Sequence, residues 1–456
     1  MSRATLIAVL VACIGLSTLW SFAIRQSVPN LLVMCDFGEI YYGVRCAAQH
    51  RDPYDPNATS SLLSRELSAA GDRLPADPAQ EAIARSILTL EINLPTCLFL
   101  FAPLAILPWA IAQNLWMVLC AGMLAFDAFL IWDLGARRTP FVFLLLAGFL
   151  LANCEGVLLV GNSAVLAVSF CIVATWCFLK NRYVLLGAVL LAISLVVKPH
   201  DSGFVWLYFL CAGGPLRRRA VQSLAIVSIL ALCASIWIAS VSPHWLQELH
   251  RNVSTLSAQH ATDPSLAGTT NNGSGLIVDL QAVLSVFWND PLFYNLMSYF
   301  LVGSLITIWA LATLTRRATL QGAQVALASI AALSMLPVYH RSNDAKILLL
   351  AIPACAMLWT RKGATRWIAL ALTSASIFFT ADIPLAILGE LTRHLTIFPS
   401  NLPGKLLTIL LRRPTPLILL ATGCFYLWVY LRHSSPAQSA ASNFAATDTV
   451  ITKAAT

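Results

Sequence analysis

Charge is what this chain has least of. Asp, Glu, Lys and Arg together make up 11% of 456 residues, against about a quarter in a soluble globular protein. The shortage runs the whole length, which excludes an ordinary water-soluble domain and places the chain among polytopic membrane proteins. Acids are scarcer than bases, 21 against 29. In a soluble protein the resulting net charge of +8 would direct attention to nucleic acid. Here the bases fall in short clusters between apolar runs, as they do in cytoplasmic loops of membrane proteins, so nucleic acid is set aside as a partner. The twelve cysteines contain no CxxC pair and no Cys/His group at metal spacing, so no zinc or dithiol motif is expected. Most of them, Cys171, Cys177 and Cys233 included, sit inside apolar runs as small core residues. Cys35 and Cys46 alone flank a polar loop. A bridge between them is open if that loop faces an oxidising compartment, although two nearby cysteines more often stay unpaired. No internal repeat is visible.

What the chain does have is apolar length. A helix needs roughly 20 apolar residues to cross the hydrocarbon, and such runs recur from residue 5 to residue 431. Spans are expected at 5–24, within 93–134, at 141–160 and 163–179, and in a tight pair at 184–197 and 203–213. Others follow at 220–241, 293–314, 320–338, 343–360 and 366–389, with a Pro-broken stretch from about 395 to 431. The fold class is all-α and polytopic, a single unit over 1–432 of about ten to thirteen transmembrane helices. Residues 433–456 are Ser/Ala-rich and read as a disordered cytoplasmic tail.

Arg137–Arg138, Lys180–Arg182, Arg217–Arg219, Arg316–Arg317 and Arg361–Lys362 can all be placed in the cytoplasm together. Asp36, Asn162, Lys198–His200, residues 243–292 and Tyr339–Arg341 then fall on the opposite side. One parity problem remains. Residues 93–134 must cross an odd number of times, yet with Pro95, Pro103 and Pro108 they look like two helices. Either a piece at about 93–108 re-enters or lies on the membrane, or Arg137–Arg138 is on the other side. The first span reads as a retained helix. It is long for a signal-peptide core and lacks a strong basic start, although Ser21-Phe22-Ala23 is a passable processing site. Two polar segments, 26–92 and 243–292, lie outside the lipid. The first holds an amphipathic piece, Pro78 to Ile92, suited to lying on the interface. The second holds SLAGTTNNGSG, a flexible loop of the kind that covers a site.

An ionisable group near the hydrocarbon costs about 2.5–3.5 kcal/mol on insertion scales and is a functional hypothesis by default. The ionisable groups of this kind, with the polar amides that stand beside them, are Asp36 and Glu39 after the first span, Asn93, then Asn153, Glu155 and Asn162 around GVLLVGNS. Lys198, His200 and Asp201 form VVKPHDSG, and His340, Arg341, Asn343, Asp344 and Lys346 form VYHRSNDAK. An ion pathway would string its charges through the bilayer depth. A cluster at one face suits a site taking one substrate from lipid and another from water.

In that order these residues resemble the GT87 group of membrane glycosyltransferases, multi-span enzymes of the GT-C fold that use polyprenyl-phosphate-linked sugars. The resemblance covers roughly residues 5 to 360. It rests on Asp36-Phe37 with Tyr41-Tyr42, on Asp52-Pro53-Tyr54-Asp55-Pro56, on Lys198-Pro199 and on Tyr339-His340. Two positions depart: the family's Tyr-Pro-Pro is Asn93-Leu94-Pro95 here, and its Gly-Gln turn is Gly161-Asn162.

The resemblance implies a GT-C-type helix bundle in a bacterial inner (plasma) membrane, and an inverting sugar transfer with Asp36 as base. His340 would assist the base or bind donor phosphate. Lys198, His200 and Arg341 would meet the leaving phosphate, and Tyr41, Tyr42, Tyr54, Asp55, Asn93 and Asn162 would hold sugar or acceptor. The implied partners are a polyprenyl-phosphate donor of a mannose-like hexose or a pentose, a glycan or glycolipid acceptor, and membrane lipid. The scheme calls for no cofactor and no metal, and no DxD-type acidic pair stands out. The main rival is a secondary transporter of a polar or lipid-linked solute. The paired, Gly/Pro-interrupted halves often seen in transporters are not visible. An oligosaccharide ligase of the same fold is a nearer rival, and a purely structural membrane protein leaves the one-sided charges unexplained.

Overall fold

The structure is a computed structural model that describes residues 2–25, 34–70, 88–135, 137, 139–258, 262–267, 276–393 and 401–432. These residues are overwhelmingly helical; the only bridge of sheet type among them joins Ile277 to Arg341. By length and composition six helices can cross a membrane: Arg3–Ser21, Trp109–Gly135, Gly214–Ala239, Pro291–Thr315, Ser342–Trp359 and Pro414–Arg432. Shorter apolar helices fill the spaces between them, among them Pro140–Ala152, Ala164–Leu179, Val184–Val197, Leu320–Leu333 and Ala364–Phe379. The chain is therefore an all-α protein of membrane type.

Ala164–Leu179 is apolar on every side, and most of its residues are buried. A helix of that kind belongs in the interior of a bundle, and it packs against Val184–Val197, Trp109–Gly135 and the segment Ser342–Ala351. The first helix, Arg3–Arg25, lies along Pro140–Ala152. Their seam is built of small residues. A methyl group added at Gly148 would come within 2.6 Å of the Ala12 Cα, and one at Gly15 within 2.3 Å of the Gly148 carbonyl oxygen. Such close backbone approach is how helices associate where no water drives them together. The first helix thus meets the bundle along this seam, while most of its surface stays exposed.

The parity problem has a direct answer. Pro95–Phe101 and a 3-10 turn at Ala102–Ile106 form one short element, separate from the single 27-residue helix Trp109–Gly135. Pro95 starts the short helix at a position where its missing N–H costs nothing. Pro108 then separates it from the crossing helix. The basic end is continuous. Lys180 Nζ lies 3.0 Å from Asp133 Oδ2, Arg137 pairs with the same carboxylate, and Gln324 Nε2 donates to the Leu134 carbonyl at 2.8 Å. Arg316 reaches the Leu431 carbonyl at 2.6 Å. Asn162 precedes Ala164–Leu179 and Lys180 follows it, so a 16-residue helix about 24 Å long separates the two ends of the bundle.

Some segments differ from their sequence-based expectation. Residues 243–292, read as a long loop, carry the helices Trp245–Ala258 and Gln281–Phe287. Asn252 of the first docks its amide on the carbonyls of Tyr54 and Glu91. The stretch from 395 resolves into Leu402–Arg412 and Pro414–Arg432, of which the second alone has spanning length. Cys35 and Cys46 are both free thiols. Arg138, most of the Pro78–Ile92 piece, most of SLAGTTNNGSG and the 433–456 tail lie outside the described residues.

Candidate functional site

The site is organised around one left-handed residue. Gly161 has φ of 68°, a conformation that side chains with a Cβ disfavour. A Cβ there would also fall 2.8 Å from the Phe37 Cβ. The Gly161 carbonyl accepts from Trp116 Nε1 at 3.0 Å, and the Phe37 ring stacks on Trp116 at 4.5 Å. Phe37 stands in the helix Cys35–Ala48 directly after Asp36. Burying Phe37 against this turn therefore delivers the Asp36 carboxylate to Asn162.

Asn162 Nδ2 donates to Asp36 Oδ2 at 2.6 Å, while its Oδ1 accepts from Lys198 Nζ at 3.1 Å and from the Ala164 N–H at 2.9 Å. Only this amide orientation matches a carboxylate on one side and an ammonium on the other. Lys198 sits at the break between Val184–Val197 and Pro199–Cys211, a break made by the proline that follows it. Its Nζ lies 2.7 Å from Asp344 Oδ1. Asp344 is held in turn by a capping box, its Oδ2 accepting from the Arg341 N–H at 2.9 Å. Asp344 belongs to a ten-residue 3-10 helix, Ser342–Ala351, that is buried throughout and continues as Ile352–Trp359. Runs of 3-10 helix this long are uncommon. The result is an unbroken chain of contacts, Asp36–Asn162–Lys198–Asp344, from four separate parts of the sequence. Asp36, Asn162 and Lys198 keep partial access to solvent, whereas Asp344 is buried.

Beneath Lys198 lies a second group. Asp201 Oδ1 is 3.5 Å from His200 Nε2 and 3.7 Å from His340 Nε2, and the two imidazoles meet edge to face at 5.0 Å. Burial holds both histidines below their ordinary range, with the Lys198 charge adding to the effect, so both are neutral at pH 7. His200, Asp201, His340 and Asp344 each bring one ligand-type atom within 4.8 Å of the others. This is the one set of residues described above with the composition to hold a metal ion. Arg341 lies over the Tyr339 ring at 5.6 Å. Burial opposes its charge, but Tyr339, Asp36 and Asp344 outweigh that and keep it protonated.

A pair of acids braces the helix Cys35–Ala48 from behind. Glu39 Oε1 accepts from the Ile92 N–H at 2.9 Å and from Asn93 Nδ2 at 3.0 Å. Glu91 Oε1 accepts from the Asn93 N–H at 2.8 Å and from Asn93 Nδ2 at 2.9 Å. Burial raises both carboxyls above the usual range, Glu91 to about 7, and Glu39 also feels the neighbouring Glu91 charge.

The structure brings Asp36, Asn162, Lys198, His200, His340 and Arg341 into one region, as the spacing of polar residues implies. It does not place the aromatic set on that surface. Tyr41, Tyr42 and Tyr54 are buried. The Tyr41 hydroxyl donates to the Leu107 carbonyl at 2.8 Å and accepts from Arg45, and the Tyr42 ring stacks on Trp109 at 5.7 Å. Tyr54 donates to the Asn93 carbonyl at 2.9 Å, and Asp55 accepts from the Asn57 N–H at the start of the helix Pro56–Ala70. The cause is simple: each ring has a hydrophobic wall beside it, so burial outcompetes display. Asn93 is spent on the two glutamates. His340 is 1% exposed and would act through its neighbours.

Sequence reasoning left Asp201 and Asp344 out of the site although both stood in polar runs. It passed over Glu91, and it also passed over Asp127, fully buried in a spanning helix and bonded to Ser169. An acid inside an apolar run was the available signal for Asp127. For Glu91 there was none, because its partner lies 52 residues away (Glu39).

No protein-family model, curated protein or solved structure matches this chain. The functional reading therefore rests on the residues themselves.

Proposed function

We propose that the protein is an integral membrane glycosyltransferase of GT-C type. It would move a mannose-like hexose or a pentose, with inversion, from a polyprenyl phosphate to a hydroxyl of a glycan or glycolipid. The observation that carries this reading is the Asp36–Asn162–Lys198 relay, a partly exposed carboxylate tied through one amide to an ammonium from a distant hairpin. The relay lies at the end of the bundle away from the basic clusters, which the positive-inside rule assigns to the extracytoplasmic side.

In the reaction, an acceptor hydroxyl within hydrogen-bond reach of Asp36 loses its proton to the carboxylate as its oxygen bonds to C1 of the sugar. The C1–O bond to phosphate breaks, and the electron pair leaves with the phosphate. Lys198 and Arg341 supply fixed positive charge to the departing oxygen, and Arg341 can engage a phosphate through two donors. Asn162 keeps base and cation at a set separation, so that neither collapses onto the other when the site is empty.

The test uses purified protein in detergent, where no gradient exists, with a radiolabelled polyprenyl-phosphate sugar and extracted glycolipid acceptors. Transfer by the native chain and its loss in Asp36→Asn, with the variant inserted and abundant, supports the assignment. Full transfer by Asp36→Asn removes Asp36 as base. Gradient-dependent sugar uptake in vesicles, with no transfer in detergent, favours a transporter instead.

A further inference from the structure

We propose that His200, Asp201, His340 and Asp344 bind one divalent first-row metal ion, zinc fitting best, directly beneath Lys198. The inference does not depend on the sugar-transfer reading. It stands on the placement of donor atoms, on unmet valence and on a fixed tautomer.

Two of the donor separations are those of ligands on one ion, and the widest is bounded by 4.8 Å, so the set closes slightly on binding. Zinc held at about 2.1 Å by nitrogen and oxygen in a tetrahedron separates neighbouring donors by about 3.4 Å. Asp201 Oδ1 stands 3.5 Å from His200 Nε2 and 3.7 Å from His340 Nε2, and all four candidate atoms fit within 4.8 Å. These separations are longer than hydrogen bonds. They match atoms that share a third body between them.

The valences are unmet. Asp201 is 3% exposed, and neither carboxylate oxygen has a hydrogen-bond partner; the same holds for His340 Nε2, in a residue 1% exposed. Buried polar atoms without partners are uncommon in folded proteins. Here the orphans come from separate elements, the start of Pro199–Cys211 and the loop before Ser342–Ala351, and they share one cluster.

The tautomer is fixed. His340 Nδ1 lies 2.9 Å from the Val338 carbonyl oxygen, which can only accept. The proton is therefore on Nδ1, and Nε2 presents a lone pair towards Asp201. This carbonyl-backed imidazole is the usual arrangement of a metal-binding histidine. Asp344 provides the fourth donor. Its salt bridge to Lys198 and its bond from the Arg341 N–H orient the carboxylate from outside. Two imidazoles with two carboxylates favour zinc, manganese or iron over the all-oxygen preference of magnesium and calcium. A bound ion would clamp the Lys198 hairpin to the 3-10 helix.

The full-length protein, stripped with chelator and dialysed, is titrated with Zn2+ by calorimetry and with Co2+ by visible absorption. One ion per chain is expected, with the d–d bands of a low-coordinate site and a rise in melting temperature. Asp201→Asn and His340→Ala should each weaken binding by more than about a hundredfold. His200→Ala, at the half-exposed rim, should weaken it measurably without endangering the fold. His250→Ala, an exposed histidine on another helix, and Asp36→Asn should both bind as the native chain does. Absence of saturable binding by the stripped native protein overturns the proposal. So does equal binding by Asp201→Asn and His200→Ala. An equal loss in His250→Ala would assign the ion to adventitious surface histidines and overturn it as well.

Discussion

Replacing Gly161 by alanine perturbs the site without touching any polar atom in it. Two costs add. Holding a residue with a Cβ at φ of 68° costs about 1–2 kcal/mol. Forcing that Cβ into the space beside Phe37, 2.8 Å from its Cβ and 3.0 Å from the Met34 Cε, costs about 1–3 kcal/mol as overpacking. The total is about 2–5 kcal/mol of stability. The Met34 side chain can yield, but Phe37 is pinned by Trp109 and Trp116, so relief must come from movement of the Asn162 turn. Displacement of that amide by about 1 Å relative to Asp36 would lower turnover by about a hundredfold. The assay is detergent-unfolding stability measured beside sugar transfer, for Gly161→Ala and Gly161→Asn together. Asparagine tolerates the left-handed conformation but brings the same Cβ. Near-native behaviour of the asparagine variant alone would identify backbone strain as the larger cost. Native stability and turnover in both variants would refute the role given to this turn.

Asn162→Gln keeps a donor and an acceptor on a longer arm and should retain transfer within about tenfold, whereas Asn162→Asp sets a second carboxylate against Asp36 and should lose more than about a hundredfold; equal rates would show that Asn162 does not orient the base. The Glu39–Glu91 pair makes a pH prediction whose sign follows from its raised carboxyls. A folded-state value above the unfolded one means the native state binds more protons, so the contribution of Glu91 is most favourable below about 4.5 and declines as pH rises through about 7. The decline is about 3 kcal/mol at its limit. Glu91→Gln, whose side-chain oxygen can still accept from Asn93, should flatten melting temperature between pH 5 and 8 and raise it at pH 8, and an unchanged slope would locate the titration elsewhere.

The membrane class was legible because charged residues are so rare here, and the meeting of the polar residues was foreshadowed because each one stands out. Asp36, Asn162, Lys198 and Asp344 lie at ends of apolar runs, and orientation by the basic clusters already put them at one end of the bundle. The tyrosines were not legible as struts. A Tyr-Tyr pair beside an acid reads equally well as a sugar platform, and the deciding fact is Trp109, which arrives from 67 residues away to stack on Tyr42 (centroids at 5.7 Å). His200 and His340 were each legible as site residues, but their meeting at Asp201 was not, for a similar reason. Two histidines separated by 140 positions show no metal spacing, and only the packing of two hairpins brings them together. Proline placement made 93–108 ambiguous, since Pro95 and Pro108 punctuate a short element as readily as they punctuate two full spans.

Ten residues of 3-10 helix extend about 20 Å, where the same residues in α-helical form would extend about 15 Å. Ser342–Ala351 is therefore a stretched arm. Over the seven steps from Asp344 to Ala351 the difference is about 4 Å, and it sets how far Asp344 stands from Ile352–Trp359 on the side where Lys198 meets it. Wound as an α-helix the same residues would hold the carboxylate short of the Lys198 ammonium, so the reach of the salt bridge comes from the winding.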